Sequence, residues 1–150
     1  MIRSLALLLL TLPLAVSAAP RTCLVVGVSD GDTLKARCGQ PGSYEEVKVR
    51  LNGIDAPEKK QRSDRYGQSV CKVMVTPASA PRGPKTLDAA LAMVTAGMAW
   101  WYRGYSREQT AQERGQYEFA ETEAKARRAG LWRDADAMAP WDWRKTRREG

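Results

Sequence analysis

The stretch Val28-Ser-Asp-Gly-Asp-Thr-Leu34 decides the fold of the N-terminal half of this chain. Asp30-Gly31 at its centre is a strong short-range signal for a β-hairpin turn. Residues 23–28 before the turn are mostly β-branched or apolar, and residues 33–38 after it alternate between apolar and polar side chains. The stretch therefore predicts two antiparallel strands joined by a tight, acidic turn.

The spacing of the cysteines around this turn predicts a disulfide. If Asp30 and Gly31 form the turn, Cys23 and Cys38 each lie seven residues outside it and face each other across the two strands. We therefore expect a Cys23–Cys38 bridge, with Cys71 as the remaining thiol. One disulfide among three cysteines is typical of an oxidising compartment.

Further strands are predicted by alternation. One is expected at about residues 46–51, where apolar and basic side chains alternate in the order Val47, Lys48, Val49, Arg50 and Leu51. We expect the apolar set to enter the core and the basic set to face a groove or solvent. Residues 39–44 are predicted to be a loop, and residues 70–75 another strand.

The C-terminal half is predicted to be helical. Apolar residues spaced for one helical face occur at 87–94, and Gly97 supplies a stop for that helix. A second helix is expected to begin near Ser106 or Thr110, each followed three residues later by Gln or Glu, and to end at Gly130. Strands followed by helices predict an α+β fold, with the helices covering one end of a small barrel.

Residues 1–18 have the pattern of a secretory signal peptide. A basic residue precedes a short apolar run, and small residues ending in Ala18 form a cleavage site. The run is too short to span a bilayer, although an N-terminal anchor is the alternative interpretation. We expect an exported protein, periplasmic or secreted, with one domain at 19–150: a core at about 22–133 and a basic, Trp-containing tail at 134–150.

Composition narrows the chemistry. The chain has 24 Lys and Arg against 17 Asp and Glu, a net charge of +7, which favours polyanionic partners such as nucleic acid. It contains no histidine, which excludes mechanisms with a histidine base or metal ligand. Carboxylates, Lys, Tyr or Cys must then supply any acid–base chemistry.

Acidic residues cluster at predicted strand ends around one arginine: Asp30, Asp32, Arg50, Asp55 and Glu58. If Asp32 and Asp55 approach each other, they form an all-oxygen site suited to Ca²⁺ or another hard cation, which relieves their repulsion. Each segment taken alone is equally well explained as an ordinary turn, because Asp, Gly and Pro are common turn residues. Arg50 alone is equally an exposed strand charge.

Together the two acidic segments resemble the staphylococcal nuclease (thermonuclease) family: Val28-Ser-Asp-Gly-Asp-Thr-Leu34 and Val49-Arg-Leu-Asn-Gly-Ile-Asp-Ala-Pro-Glu58. The resemblance covers nearly all of the mature chain, continuing in Asp64-Arg-Tyr-Gly67 and in residues 91–97 and 124–132. The tail Pro140-Trp-Asp-Trp-Arg144 is similar to the exported bacterial branch. The resemblance implies an OB-type Greek-key β-barrel with C-terminal helices, a fold whose groove commonly binds oligonucleotides.

The resemblance also implies roles for individual residues. Asp32 and Asp55 match the metal-binding carboxylates, here for one Ca²⁺, and Ala56 matches a backbone-carbonyl ligand; Asp30 matches an acid outside the ligand shell. Arg50 matches an arginine that holds the scissile phosphate. Glu58 matches the carboxylate that activates or positions water, and Tyr66 matches a tyrosine beside the nucleotide. The implied activity is hydrolysis of DNA and/or RNA with little sequence specificity.

Two positions depart from the family pattern. A second phosphate-binding arginine is expected where this chain has Gln68, which donates hydrogen bonds but carries no charge. Arg65 or Arg62 is an alternative source of that charge, although no pattern in the sequence indicates it. Only residues 59–63 separate Glu58 from Asp64, where family members place a helix and a barrel strand. This internal deletion predicts a barrel that lacks one helix and one strand. It also keeps open a second interpretation, a catalytically impaired nucleic-acid-binding module or degenerate nuclease copy.

Two further features have simpler interpretations. The aromatic run Trp100-Trp101-Tyr102, with Tyr105, could stack on bases, but core and rim packing is the favoured interpretation. Residues 144–148 are expected to be a solvated basic tail that adds non-specific attraction to phosphates. No protein partner is evident, and we expect a monomer that does not associate with membranes after signal cleavage.

Overall fold

The computed structural model describes residues 19–56 and 68–149 of the chain. Short strands precede most of the helical structure, as the bounds show: β1 Cys23–Val28, β2 Thr33–Gln40, β3 Ser43–Leu51, β4 Ile54–Asp55, β5 Gln68–Cys71, β6 Met74–Val75, β7 Leu87–Asp88, α1 Ala89–Thr95, β8 Trp100–Trp101, α2 Ala111–Ala126 and α3 Pro140–Glu149. Two 3₁₀ turns lie at Arg103–Glu108 and Gly130–Arg133. The predicted α+β class is confirmed.

The main sheet has four strands in the order β1-β2-β3-β5. Its first two pairings are antiparallel, and β3 pairs with β5 in parallel. Two small antiparallel pairs, β4 with β8 and β6 with β7, connect the sheet region to the helical half. Within the described ranges no further strand joins β1 to β5, so both remain edges of the sheet. This mixed sheet with C-terminal helices agrees with an OB-type fold.

The first hairpin follows the predicted pairing with one change. Cys23 lies opposite Cys38, and the two are joined by a disulfide. The connection is longer than two residues, because a bulge between Val25 and Gly27 shifts the register and leaves residues 29–32 outside the ladder. Such a bulge absorbs one extra residue without moving the far end of the hairpin. The cysteine pairing is therefore preserved although the turn is wider.

The second hairpin corrects the predicted loop at 39–44. β2 extends to Gln40 and β3 begins at Ser43, so the two strands are longer and their connection is short. Gly39 and Gly42 have φ angles of 114° and 90°, which only glycine adopts readily, and they allow the tight turn. The strand predicted at 70–75 is instead two short strands, β5 and β6.

The two predicted helices are present, although α2 ends at Ala126 and Gly130 instead begins a 3₁₀ turn. Thr110 caps α2 in a full capping box with Glu113, so the start at Thr110 is confirmed and the alternative at Ser106 is wrong. Gly97 ends α1 with a φ of 69°, as predicted. A third helix, α3, lies where the charge-rich sequence predicts a solvated basic tail.

The core lies between the sheet and the helices. Its larger cluster joins β3 and β4 to α1, β8 and α2 through buried side chains that include Leu51, Ile54, Val94, Trp101 and Tyr117. A smaller cluster lies under the first hairpin around Ala36, Cys38 and Val49. No helix in the described part of the chain combines the length and apolar character that a membrane span requires.

Candidate active site

The first acidic residue is held where the hairpin connection meets β2. Asp32 is 5% exposed. Its backbone carbonyl accepts a hydrogen bond from the Leu51 N–H at 2.8 Å, which ties the connection to the end of β3. Its carboxylate oxygen Oδ1 accepts from the Thr33 hydroxyl at 2.8 Å. These two bonds fix both the position and the orientation of the carboxylate.

The second acidic residue lies on the short strand β4. Asp55 pairs with Trp100 of β8, and Ile54 pairs with Trp101. The Asp55 side chain is 1% exposed and the following residue, Ala56, is 2% exposed. Both tryptophans are buried, so the interpretation that they pack in the core is confirmed for them. The aromatic pair thus forms the wall against which Asp55 is positioned.

Arg50 joins the two acids. It lies on β3 opposite Thr33, the residue after Asp32. Its Nη2 atom lies 2.7 Å from Asp32 Oδ2 and 3.4 Å from Asp55 Oδ1. One guanidinium nitrogen therefore contacts both carboxylates, and the three residues form one cluster. As expected from the alternation of β3, Arg50 is half-buried at the cluster while Val49 and Leu51 enter the core.

Burial and charge oppose each other at Asp32. Burial raises the pKa of this carboxyl above its usual value, and the Arg50 charge and the Thr33 hydrogen bond offset only part of the rise. The negative charges of Asp55 and Asp30 raise it further. A second cation beside the pair would lower this electrostatic cost.

Arg144 of α3 provides such a cation, which corrects the expectation of a solvated tail at this position. Its Nη1 atom donates to Asp55 Oδ1 at 3.3 Å, and its Nη2 atom makes a close contact with Asp55 Oδ2. The side chain is only 29% exposed. Sequence patterns carry no signal for this contact, because 89 residues separate the two partners.

The remaining predicted site residues are placed as follows. Asp30 accepts a hydrogen bond from the Gly31 N–H at 2.8 Å within the hairpin connection, and its charge acts on Asp32. Glu58 and Tyr66 lie outside the described residues, and so does the side chain of Gln68. The backbone of Gln68 begins β5 and pairs with Lys48 of β3. The structure therefore brings together Asp32, Arg50 and Asp55. The roles of Glu58, Tyr66 and Gln68 rest on the sequence motif alone.

The donor set has the chemistry of a hard-cation site. The two buried carboxylates offer oxygen ligands, and Ala56 adds a backbone carbonyl next to one of them. The Nε atom of Arg50 is buried and has no hydrogen-bond partner among the described residues. In the ranges 19–56 and 68–149 no three Asp, Glu, Cys or His side chains form a metal-binding cluster.

Glu121 is a supporting residue that sequence reasoning missed. Its side chain is 2% exposed, and its carboxylate accepts from the Trp101 backbone N–H at 3.0 Å. The signal was available, because Tyr117, Ala120, Glu121 and Ala124 share the spacing of one helical face, and a charge on an apolar face indicates a buried partner. Glu121 thereby holds the strand β8 that positions β4.

Comparison with known proteins identifies the family. Residues 59–134 match the family described as "Staphylococcal nuclease homologue". The chain is 35% identical over 146 residues to "Micrococcal nuclease" of Shigella flexneri, covering 81% of this chain and 79% of that protein. The chain belongs to the staphylococcal nuclease family. Similar relatives of this staphylococcal nuclease homologue are an "Uncharacterized endonuclease" of Haemophilus influenzae, 34% identical over 154 residues with 93% and 82% covered, and "Protein ParB" of Escherichia coli, 34% identical over 145 residues with 81% and 77% covered.

Family membership accounts for the architecture of this staphylococcal nuclease homologue as an OB-type α+β fold. The alignment with the Shigella protein spans 146 positions but includes only 81% of the 150 residues here, so that relative contains residues that this chain lacks. The internal deletion predicted after Glu58 stays a prediction. The first hairpin and β4 lie before the matched span 59–134, so the cluster of Asp32, Arg50 and Asp55 is described from its own geometry.

Proposed function

We propose that this chain is a divalent-metal-dependent phosphodiesterase that hydrolyses DNA and/or RNA with little sequence specificity. The observation that carries the proposal is the contact of one Arg50 nitrogen with both Asp32 and Asp55, two carboxylates that are almost fully buried. A domain that only binds nucleic acid has no need for two acids beside a phosphate-binding arginine. The names of the relatives, a nuclease and an endonuclease, support the same reaction class.

The reaction is a hydrolysis. A water oxygen forms a bond to phosphorus, the bond from phosphorus to one sugar oxygen breaks, and the products are a phosphomonoester and a hydroxyl group. Arg50 donates hydrogen bonds to the non-bridging oxygens, where negative charge concentrates during transfer. In a chain without histidine, a carboxylate takes the proton from water. The motif assigns that task to Glu58, which lies outside the described residues.

Asp32, Asp55 and the Ala56 carbonyl are the proposed ligands of one Ca²⁺. When bound, such a cation stabilises negative charge on the phosphate oxygens and orients the substrate. Hard oxygen ligands are what Ca²⁺ selects, and the remaining coordination positions would go to water and substrate. We assign the cation to these residues because of their oxygen ligands and their resemblance to the metal site of the staphylococcal nuclease family. Asp30 acts as a neighbouring negative charge.

The proposed substrate fits the charge of the protein. The full chain has a net charge of +7, and removal of Arg3 with residues 1–18 leaves +6 (23 Lys and Arg against 17 Asp and Glu). This charge attracts polyanions, and phosphate contacts of this kind do not distinguish sequences. We propose that the protein acts as a monomer on DNA, RNA or both. Tyr66 and Gln68 are assigned to substrate contact from the motif alone.

We also propose that the protein is exported after removal of residues 1–18. The Cys23–Cys38 disulfide supports this proposal, because such bonds persist in oxidising compartments. Fractionation of cells that express the full chain would test it. We expect the protein in the periplasm or medium, with Ala19 as the first residue of the mature form.

Activity is tested with the purified mature chain after its fold has been checked by circular dichroism. Single- and double-stranded DNA and RNA are incubated with Ca²⁺ or with chelator, and we expect cleavage that requires the metal. Asp55→Asn and Arg50→Met should each lower the rate about 100-fold or more. Arg37→Met is a matched control, because Arg37 lies on the neighbouring strand β2, where it forms an ion pair with Glu46 and lies over the Tyr44 ring at the surface.

The outcomes separate the two interpretations of the family pattern. Cleavage that is lost in Asp55→Asn and kept in Arg37→Met supports the enzyme. Retention of intact strands without cleavage under any metal condition would show that the chain is a binding module. Equal rates for Arg50→Met and Arg37→Met would show that the charge cluster is not the catalytic centre.

A further inference from the structure

The helix α3 is anchored next to the acid pair. Trp141 packs against Tyr102 with ring centroids 5.4 Å apart, and the Tyr102 N–H donates to the Gly53 carbonyl at 3.0 Å. Gly53 immediately precedes β4, which carries Asp55. Arg144 follows Trp141 by three residues and therefore lies on the same face of the helix. Both positions are half-buried, whereas residues 142, 143 and 145–148 of the helix are exposed.

Two guanidinium groups meet at one carboxylate oxygen. Asp55 Oδ1 lies 3.4 Å from Arg50 Nη2 and 3.3 Å from Arg144 Nη1. The carboxylate is 1% exposed, but the arginine side chains are 27% and 29% exposed. The two cationic groups therefore lie beside the same carboxylate and keep part of their surface open to solvent.

This arrangement suits an incoming anion with several oxygens. A guanidinium presents its N–H donors in a planar fork, and Asp55 contacts two nitrogens of the Arg144 fork. The fork matches the spacing of phosphate oxygens, which a lysine or glutamine cannot reproduce.

We infer that Arg144 is a second phosphate-binding residue, which acts with Arg50 on the non-bridging oxygens of the phosphodiester that is hydrolysed. The inference rests on the proposed nuclease function and adds to it a residue from the C-terminal helix. Arg144 would exchange part of its contact with Asp55 for contact with the substrate. The site would then contain two arginines although position 68 is a glutamine.

The expected effect is mainly on kcat. Charge on the phosphate oxygens is redistributed most strongly in the transition state, so a donor aimed there contributes more to the rate than to binding. Arg144→Met should lower kcat about 100- to 1,000-fold. Arg144→Lys should recover only part of the loss, because an ammonium keeps the charge but not the fork.

The test compares these variants with Arg147→Met in the full mature protein. Arg147 lies on the same helix, is exposed and packs over the Trp143 ring at 4.9 Å, so its removal changes the net charge equally. The kcat and KM values for a single-stranded oligonucleotide are measured with Ca²⁺. Thermal unfolding of each variant checks the fold. Affinity for the same oligonucleotide is measured in chelator by fluorescence anisotropy.

A large fall in kcat for Arg144→Met, partial recovery in Arg144→Lys and little change in Arg147→Met would support the inference. Unchanged or increased kcat in Arg144→Met would overturn it, and an increase would show a self-inhibitory contact with Asp55. If the unmodified protein is inactive with every metal, the proposed nuclease function fails. The affinity for the oligonucleotide then decides whether Arg144 contacts phosphate. Weaker binding by Arg144→Met than by Arg147→Met then supports phosphate contact, and equal binding excludes it.

Discussion

Replacement of Glu121 tests how the site is supported. Its buried carboxylate accepts from the Trp101 N–H at 3.0 Å, and its other oxygen contacts Arg103 at 3.2 Å and Lys125 at 3.0 Å. Glu121→Gln keeps an oxygen for the buried N–H but removes the charge. Glu121→Met has a similar length but offers no oxygen. The comparison of Gln with Met therefore isolates the hydrogen bond to Trp101.

The contacts of Glu121 set the size of the expected difference in the free energy of unfolding between the two variants. A buried N–H without a partner costs about 1–3 kcal/mol, and this cost falls on the Met variant alone. The ion pairs contribute at most about 1 kcal/mol each, because the Arg103 and Lys125 side chains are 56% and 48% exposed. Both variants lose them equally. We therefore expect Glu121→Met to be less stable than Glu121→Gln by about 1–3 kcal/mol.

Urea unfolding followed by circular dichroism measures this difference. With a slope of about 2 kcal/mol per M, a difference of about 2 kcal/mol separates the two midpoints by about 1 M. Glu118→Gln on the exposed face of α2 is the control for charge removal and should leave the midpoint nearly unchanged. Equal midpoints for the Gln and Met variants would refute the assignment of Glu121 as the anchor of β8.

Three further predictions concern stability. The hydrogen bond from Lys72 lowers the pKa of Glu113 from 4.5 to about 2. The ionised Glu113 therefore contributes to stability above pH 4.5, and this contribution is lost as the pH falls toward 2. In urea unfolding measured against pH, Glu113→Gln should flatten that part of the stability curve. Replacing both Cys23 and Cys38 by Ser removes a disulfide between residues 15 apart in sequence. The free energy of unfolding should fall by about 3 kcal/mol relative to the oxidised protein, as measured in urea. Gly97→Ala should cost more than about 1 kcal/mol in thermal unfolding, because φ is 69° and the new methyl group meets a backbone carbonyl.

Local patterns predicted the elements whose residues interact over short distances. The pairing of Cys23 with Cys38 followed from counting outward from one turn, and it survived a bulge that the pattern did not show. The start of α2 followed from Thr110 and Glu113, which bond to each other's backbone N–H groups. Both features arise from interactions between residues that are close in sequence, so a local sequence pattern is enough to predict them.

Features that depend on tertiary contacts were predicted less well. The helix α3 is strongly charged and has no apolar stripe that would indicate a core-facing side, yet Trp141 and Arg144 fix one face of it to the site. Residues 23–28 have an apolar pattern, yet Leu24 and Val28 on the edge strand β1 are 67% and 73% exposed. Exposed edges of this kind favour association between chains.

The position of Asp55 is set mainly by the C-terminal half of the chain. The strand β4 has two residues and cannot define its own orientation, so its geometry comes from β8, which Glu121 holds from α2. The contact of Arg144 with Asp55 adds a constraint from α3. The sheet supplies Arg50, while the helices supply the surroundings that place its acidic partner. A change in the helical half can therefore alter the site without touching either motif that revealed it.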